Sequence, residues 1–159
     1  MPRPDRATAA AGRLCPGRRP VTTHQPENQR SVTNTTTIID AVLAAGTITS
    51  PANPRVRTAA RLRDAGQRRE TGLTLVDGLR EIKRCLRAGV DVVEAFVAAD
   101  SLSPPATPLT DVLAELVDRN MPLVPVAERP FARVGFGGRN EGVVAVVRFR
   151  SCTLKALHR

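Results

Sequence analysis

Residues 53–78, NPRVRTAARLRDAGQRRETGLTLVDG, read as a helix, a turn, a strand and a corner. From Val56 onward, Val56, Ala59, Ala60 and Leu62 can face inward while Arg57 and Arg61 stack one turn apart on the outside. Pro54 suits the first turn, where its missing N–H has no intrahelical partner to lose. Gly66 is expected to end the helix, leaving Arg68, Arg69 and Glu70 in a turn. Residues 73–76 are apolar between Gly72 and Gly78, the pattern of a short buried strand. Asp77 is expected to cap a following helix, and Gly78 supplies the permissive backbone of a tight corner.

The pattern continues outward from this stretch. Leu79, Ile82 and Leu86, with Cys85 beside them, form the apolar side of a second helix closed by Gly89. Residues 92–99, VVEAFVAA, form a strand apolar on both faces, as in a sheet covered by helices on each side. After a Pro-rich loop, Thr110 caps a third helix whose stripe is Val112, Leu113, Leu116 and Val117. Residues 121–126, MPLVPV, carry two prolines and so belong at a sheet edge. One helical turn at 128–134 precedes residues 142–149, GVVAVVRF, the strongest strand. This alternation predicts an α/β fold, a three-layer α/β/α sandwich with a mainly parallel sheet. Residues 1–36 lack the apolar density to offset chain-ordering entropy. A short helix is expected at 38–45, and residues 1–47 as a whole are expected to be a disordered basic arm.

The formal net charge of +9 is unevenly spread. Residues 48–90 carry an excess of six positive charges and residues 1–47 an excess of three, while residues 91–150 have two more acids than bases. Charge concentrated in one third of a chain is what a phosphate-facing surface requires. The candidates are Arg55, Arg57, Arg61 and Arg63 as forked phosphate donors. Arg68 and Arg69 in the turn, Arg80 and Lys83 on the next helix, and Arg139 near the glycine-rich turn extend the set. The competing reading is a solvated face, with Asp64 and Glu70 as local partners. With no Trp or Tyr and four Phe, single-strand binding by rows of stacking rings is disfavoured.

No catalytic residue is assigned. His24 and His158 lie near the two ends and have no defined partner for general-base work. The GFGGRN stretch at 135–140 precedes a strand instead of following one and opening a helix, so it is a turn and not a nucleotide-binding loop. Cys15, Cys85 and Cys152 are odd in number and widely spaced, which predicts neither a disulfide framework nor a metal site and suits a reducing cytoplasm. No apolar run approaches the ~20 residues of a membrane span, so no membrane partner is expected.

Several segments occur in the order and spacing of one known domain. Ile48-Thr49-Ser50 is followed by Asn53-Pro54-Arg55-Val56, an Arg-rich turn, Leu75-Val76-Asp77-Gly78, and finally Glu141-Gly142-Val143-Val144-Ala145-Val146. Residues 48–150 thereby resemble the N-terminal substrate-binding domain of SpoU-type (SPOUT superfamily) RNA 2′-O-ribose methyltransferases. Asp77 stands where that family usually has Glu. The resemblance implies a fold similar to small RNA-binding ribosomal proteins and structured RNA, rRNA or tRNA, as partner. It also implies that S-adenosylmethionine would bind a separate SPOUT domain, with no cofactor on this chain, and that residues 151–159 resemble the start of a connector to that domain. The expected role is RNA recognition as a detached binding domain; the alternatives are a subunit working with a separately encoded catalytic domain and a truncated remnant.

Overall fold

The three apolar runs of the sequence form three adjacent strands of one four-stranded sheet. The computed structural model describes residues 27–103, 107–136 and 141–149. Its elements are α1 (Glu27–Ala44), α2 (Pro54–Arg61), α3 (Ala65–Thr71), β1 (Leu73–Asp77), α4 (Leu79–Arg87) and β2 (Val92–Ala98). A 3₁₀ turn (Ala99–Ser101), α5 (Thr107–Asp118), β3 (Leu123–Val126), α6 (Glu128–Val134) and β4 (Val143–Arg148) complete the order.

The strand order is β1-β4-β2-β3. β2 and β3 are parallel, but β4 lies between β1 and β2 and is antiparallel to both. The sheet is therefore mostly antiparallel, which corrects the mainly parallel sheet expected from the α/β alternation. The reason lies in α6. At seven residues it is about 10 Å long, and the chain that leaves it bonds to Asp77, at the end of β1. Val143 and Val144 then pair with Val97 and Asp77, so β4 enters from the end at which β1 and β2 finish.

The sandwich itself is as expected. β4 is buried on both faces: Val143, Ala145 and Val147 point to a core made with α1, α4 and α5, while Val144 and Val146 point to one made with α2 and α6. Ile82, Leu86, Val112, Leu113 and Leu116 fill the first core. Val56, Ala59, Leu62, Phe96, Phe131 and Val134 fill the second. β3 is an edge strand, as its prolines require. Ile48 bridges its outer side, donating to the Pro125 carbonyl and accepting from Ala127 N at 2.9 Å each. Pro125 and Ala127 are two residues apart and share that outer side, so the missing N–H of Pro125 interrupts no pairing with β2.

Three local expectations change. The helix starting at Pro54 stops at Arg61, because the Asp64 carboxylate restarts the chain as α3 by accepting from Gly66 N and Gln67 N at 2.8 and 3.0 Å. Gly66 is thus in the first turn of α3, and Gly72, with φ +67°, ends it. α5 starts at Thr107, ahead of the Thr110 cap expected. Finally, α1 begins at Glu27, well ahead of the helix expected at 38–45, and it is within that expected helix that Val42 is buried and Ile38 and Ile39 pack on the same core. Residues 1–26 and 150–159, with the expected connector, lie outside the described residues.

Candidate nucleic-acid interface

Asn53 starts α2 by accepting from Arg55 N at 2.9 Å, with Pro54 at the first helical position as the sequence required. Burial of Val56 and Ala59 turns Arg57 and Arg61 to solvent, one turn apart. Among the described residues neither has an ion-pair partner. Arg69, on α3, is likewise exposed. These three guanidiniums are free to meet phosphate.

The other arginines of the stretch have partners. Arg55 Nε stands 2.6 Å from Glu94 Oε2 of β2, which offsets its charge. Arg63 lies over the Phe136 ring, 5.1 Å from its centroid, a contact worth about 0.5–1 kcal/mol at an exposed site. Arg68 is half-buried, and its Nη1 donates to the carbonyls of Leu62 and Arg63 at 3.0 and 2.7 Å. It thereby satisfies carbonyls that the end of α2 leaves without helical partners. Arg68 is tied to the fold, which the turn reading of residues 68–70 could not show.

Arg80 and Lys83 are not part of this surface. Their helix, α4, buries Ile82 and Leu86 in the core on the opposite side of the sheet from Val56, Ala59 and Leu62. Arg80 is exposed, and Lys83 Nζ stands 3.4 Å from Asp111 of α5. The basic stretch that is continuous in sequence is divided by β1 into two patches on opposite faces. Arg139 lies outside the described residues.

The Asp77-Gly78 corner joins the two motif segments. Asp77 does not cap α4. Its Oδ2 accepts from Phe136 N at 2.5 Å, and the cap comes instead from Glu141, whose Oε2 accepts from Leu79 N at 2.6 Å. A carboxylate there also meets the positive end of the helix dipole. Gly78, at φ +108°, could not be replaced without strain, and a Cβ on it would sit 2.8 Å from Glu81 Oε2. The corner opens into a hollow of about 470 Å³ lined by Leu75, Asp77, Glu81, Phe136 and Glu141. Phe136 is 49% exposed and was missed in sequence, where Phe in a glycine-rich turn carries no periodic signal. Nearby on α4, burial and then the Glu81 carboxylate push the Cys85 thiol up from its ordinary value.

Comparison with known proteins gives this geometry its family. A family model described as the MRM3-like substrate binding domain matches residues 53–145. No curated protein matches. Among solved structures, an RNA 2′-O ribose methyltransferase aligns with a TM-score of 0.59 at 30% identity, covering 68% of this chain and 39% of that one. An rRNA methyltransferase from Sinorhizobium meliloti gives 0.54 at 22% identity, covering 67% of this chain and 38% of its own, a likeness of fold. An AdoMet-bound rRNA methyltransferase from the same organism gives 0.53 at 21%, with 69% and 38% covered. The chain spans about two fifths of the length of these proteins. It belongs to the family of MRM3-like substrate-binding domains, the domain type of SpoU-type RNA 2′-O-ribose methyltransferases that its ordered motifs resemble.

Proposed function

We propose that this chain captures folded RNA, rRNA or tRNA, as the substrate-recognition unit of an RNA 2′-O-ribose methyltransferase. The observation that carries the reading is the pair Arg57 and Arg61, exposed on α2 with no ion-pair partner among the described residues, with Arg69 exposed on α3. Family membership supports it. Recognition rests on phosphate and 2′-hydroxyl contacts and on RNA shape, with base readout secondary. Arg63 and Phe136 offer one cation–ring pair beside that surface for a single unstacked base. Methyl transfer would belong to an S-adenosylmethionine-binding SPOUT domain, whether on the same polypeptide or on a separately encoded partner that co-purification would reveal.

The test is RNA affinity of the full chain across a salt series. Arg57→Ala with Arg61→Ala is expected to weaken binding on the order of tenfold and to lower the slope of log affinity against log salt by about 0.7–0.9 for each phosphate no longer neutralised. Affinity and slope equal to those of the unaltered protein would remove α2 from the interface. Binding insensitive to salt would remove the electrostatic mechanism.

A further inference from the structure

The outward side of α4 gathers Arg80, Lys83, Arg84 and Arg87 around a hollow of about 420 Å³, with Leu79 and Pro108 as its apolar lining. These cations recur at three- and four-residue steps, so each stands above another on one side of the helix. Two carboxylates face them. Asp111 is 3.4 Å from Lys83 Nζ, and Glu81 is 3.9 Å from Arg84 Nη1. Four positive groups against two negative ones leave the hollow electropositive, and neighbouring like charges on one helix repel. Arg80 and Arg87 have no ion-pair partner among the described residues. A polyanion seated here would relieve that repulsion, and the hollow gives it a concave seat about 10 Å long, the rise between positions 80 and 87.

This patch lies on the opposite face of the sheet from Arg57 and Arg61 of α2, and α3, which follows α2, flanks the same edge as α4. β1 is the terminal strand, α3 and α4 both pack beside it, and the two cores lie on either side of it. A straight duplex is too stiff over this distance to touch both faces of a sandwich three layers thick.

We propose that the outer face of α4, through Arg80, Lys83, Arg84 and Arg87, is a second phosphate-binding surface. It takes a segment of RNA distinct from the one held by α2, so that the preferred substrate is an RNA bent around the β1 edge. The proposal rests on the RNA-capture reading above and assigns Arg84 and Arg87, which that reading does not use.

The experiment measures binding of the full chain to two RNAs of equal nucleotide count, a stem-loop kinked by an internal bulge and a straight duplex, across a potassium chloride series. Arg84→Gln with Arg87→Gln is compared with Arg57→Gln with Arg61→Gln, and far-UV circular dichroism melting verifies folding of each. The α4 variant is expected to bind the kinked RNA about tenfold more weakly, with the salt slope lowered by about 0.7–0.9 for each phosphate it no longer neutralises, and to bind the duplex as the unaltered protein does. The α2 variant is expected to weaken on both. An α4 variant unchanged on the kinked RNA, while the α2 variant is weakened, would overturn the second surface and leave the first standing. Equal weakening of the α4 variant on both RNAs would overturn the bent substrate. Failure of the unaltered protein to bind either RNA would remove the RNA-capture reading and this proposal with it.

Discussion

Replacing Gly142 by Ala tests the joint that holds Glu141 against the start of α4. Gly142 has φ +81°, in the left-handed region, where a residue with a side chain costs about 1–2 kcal/mol. Its new Cβ would also stand 2.7 Å from Ser101 Cβ and 2.8 Å from Ser101 Oγ, with Leu109 Cδ2 at 3.3 Å. The hydroxyl can rotate away, but the Ser101 Cβ is fixed to the backbone of the 3₁₀ turn. Crowding of this kind costs about 1–3 kcal/mol. Together the two effects predict a loss of about 2–5 kcal/mol, against a total stability of about 5–15 kcal/mol for an ordinary domain.

Gly72 is the control for the backbone part alone. Its φ is +67°, yet nothing lies within 4 Å of where its Cβ would be, so Gly72→Ala should cost only about 1–2 kcal/mol. Adding Ser101→Gly to Gly142→Ala should recover most of the steric part, a coupling that a double-mutant cycle isolates. The assay is urea unfolding followed by far-UV circular dichroism, since a chain without Trp or Tyr gives little intrinsic fluorescence. A Gly142→Ala variant no less stable than Gly72→Ala would rule out the steric clash, as would a Ser101→Gly change that restores nothing.

Arg68 and Cys85 give two further tests. Arg68→Ala leaves the Leu62 and Arg63 carbonyls without their donor and should lower stability by about 1–2 kcal/mol, whereas Arg57→Ala should shift it by no more than about 0.5 kcal/mol; equal unfolding midpoints would contradict the assignment of Arg68 to the fold. The Cys85 thiol, raised by burial and Glu81, should alkylate more slowly than a free cysteine near neutral pH in a Cys15→Ser, Cys152→Ser background, and faster again in Glu81→Gln. Because the folded value is the higher one, its contribution to stability is complete below the ordinary thiol value and is lost as pH rises through the folded value. A rate profile matching free cysteine would refute the shift.

Much of the architecture was legible because the sheet is built from runs whose character is local. LTLV, VVEAFVA and VVAVV are apolar enough on both faces to require cover from two sides, which fixes a three-layer sandwich. The prolines of β3 announced an edge. What could not be read is set by distant partners. The direction of β4 depends on where α6 delivers the chain, and no residue within β4 encodes it. Asp77 followed by Gly-Leu has the local form of a cap. The carboxylate that performs the role, Glu141, comes 62 residues after Leu79, the amide it accepts from. Arg68 resembles any arginine of a basic turn until its guanidinium is seen under the end of α2.

The division of the basic surface has the same origin. Arg57, Arg61, Arg80 and Arg84 are close in sequence, and α2 and α4 both pair an apolar side with a basic one, so linear charge density merges them into one patch. Strand order separates them. The crossover from β1 to β2 passes over β4, and the crossover from β2 to β3 steps the same way along the sheet. Right-handed crossovers that step in one direction stay on one face, and α4 and α5 indeed share a core. α1 joins them there, and α2, which enters before β1, covers the other side with α6. The edge between the two basic patches is therefore a consequence of topology. An RNA that contacts both must pass around β1, and the charge that attracts it can be counted from the sequence while the bend it must adopt cannot.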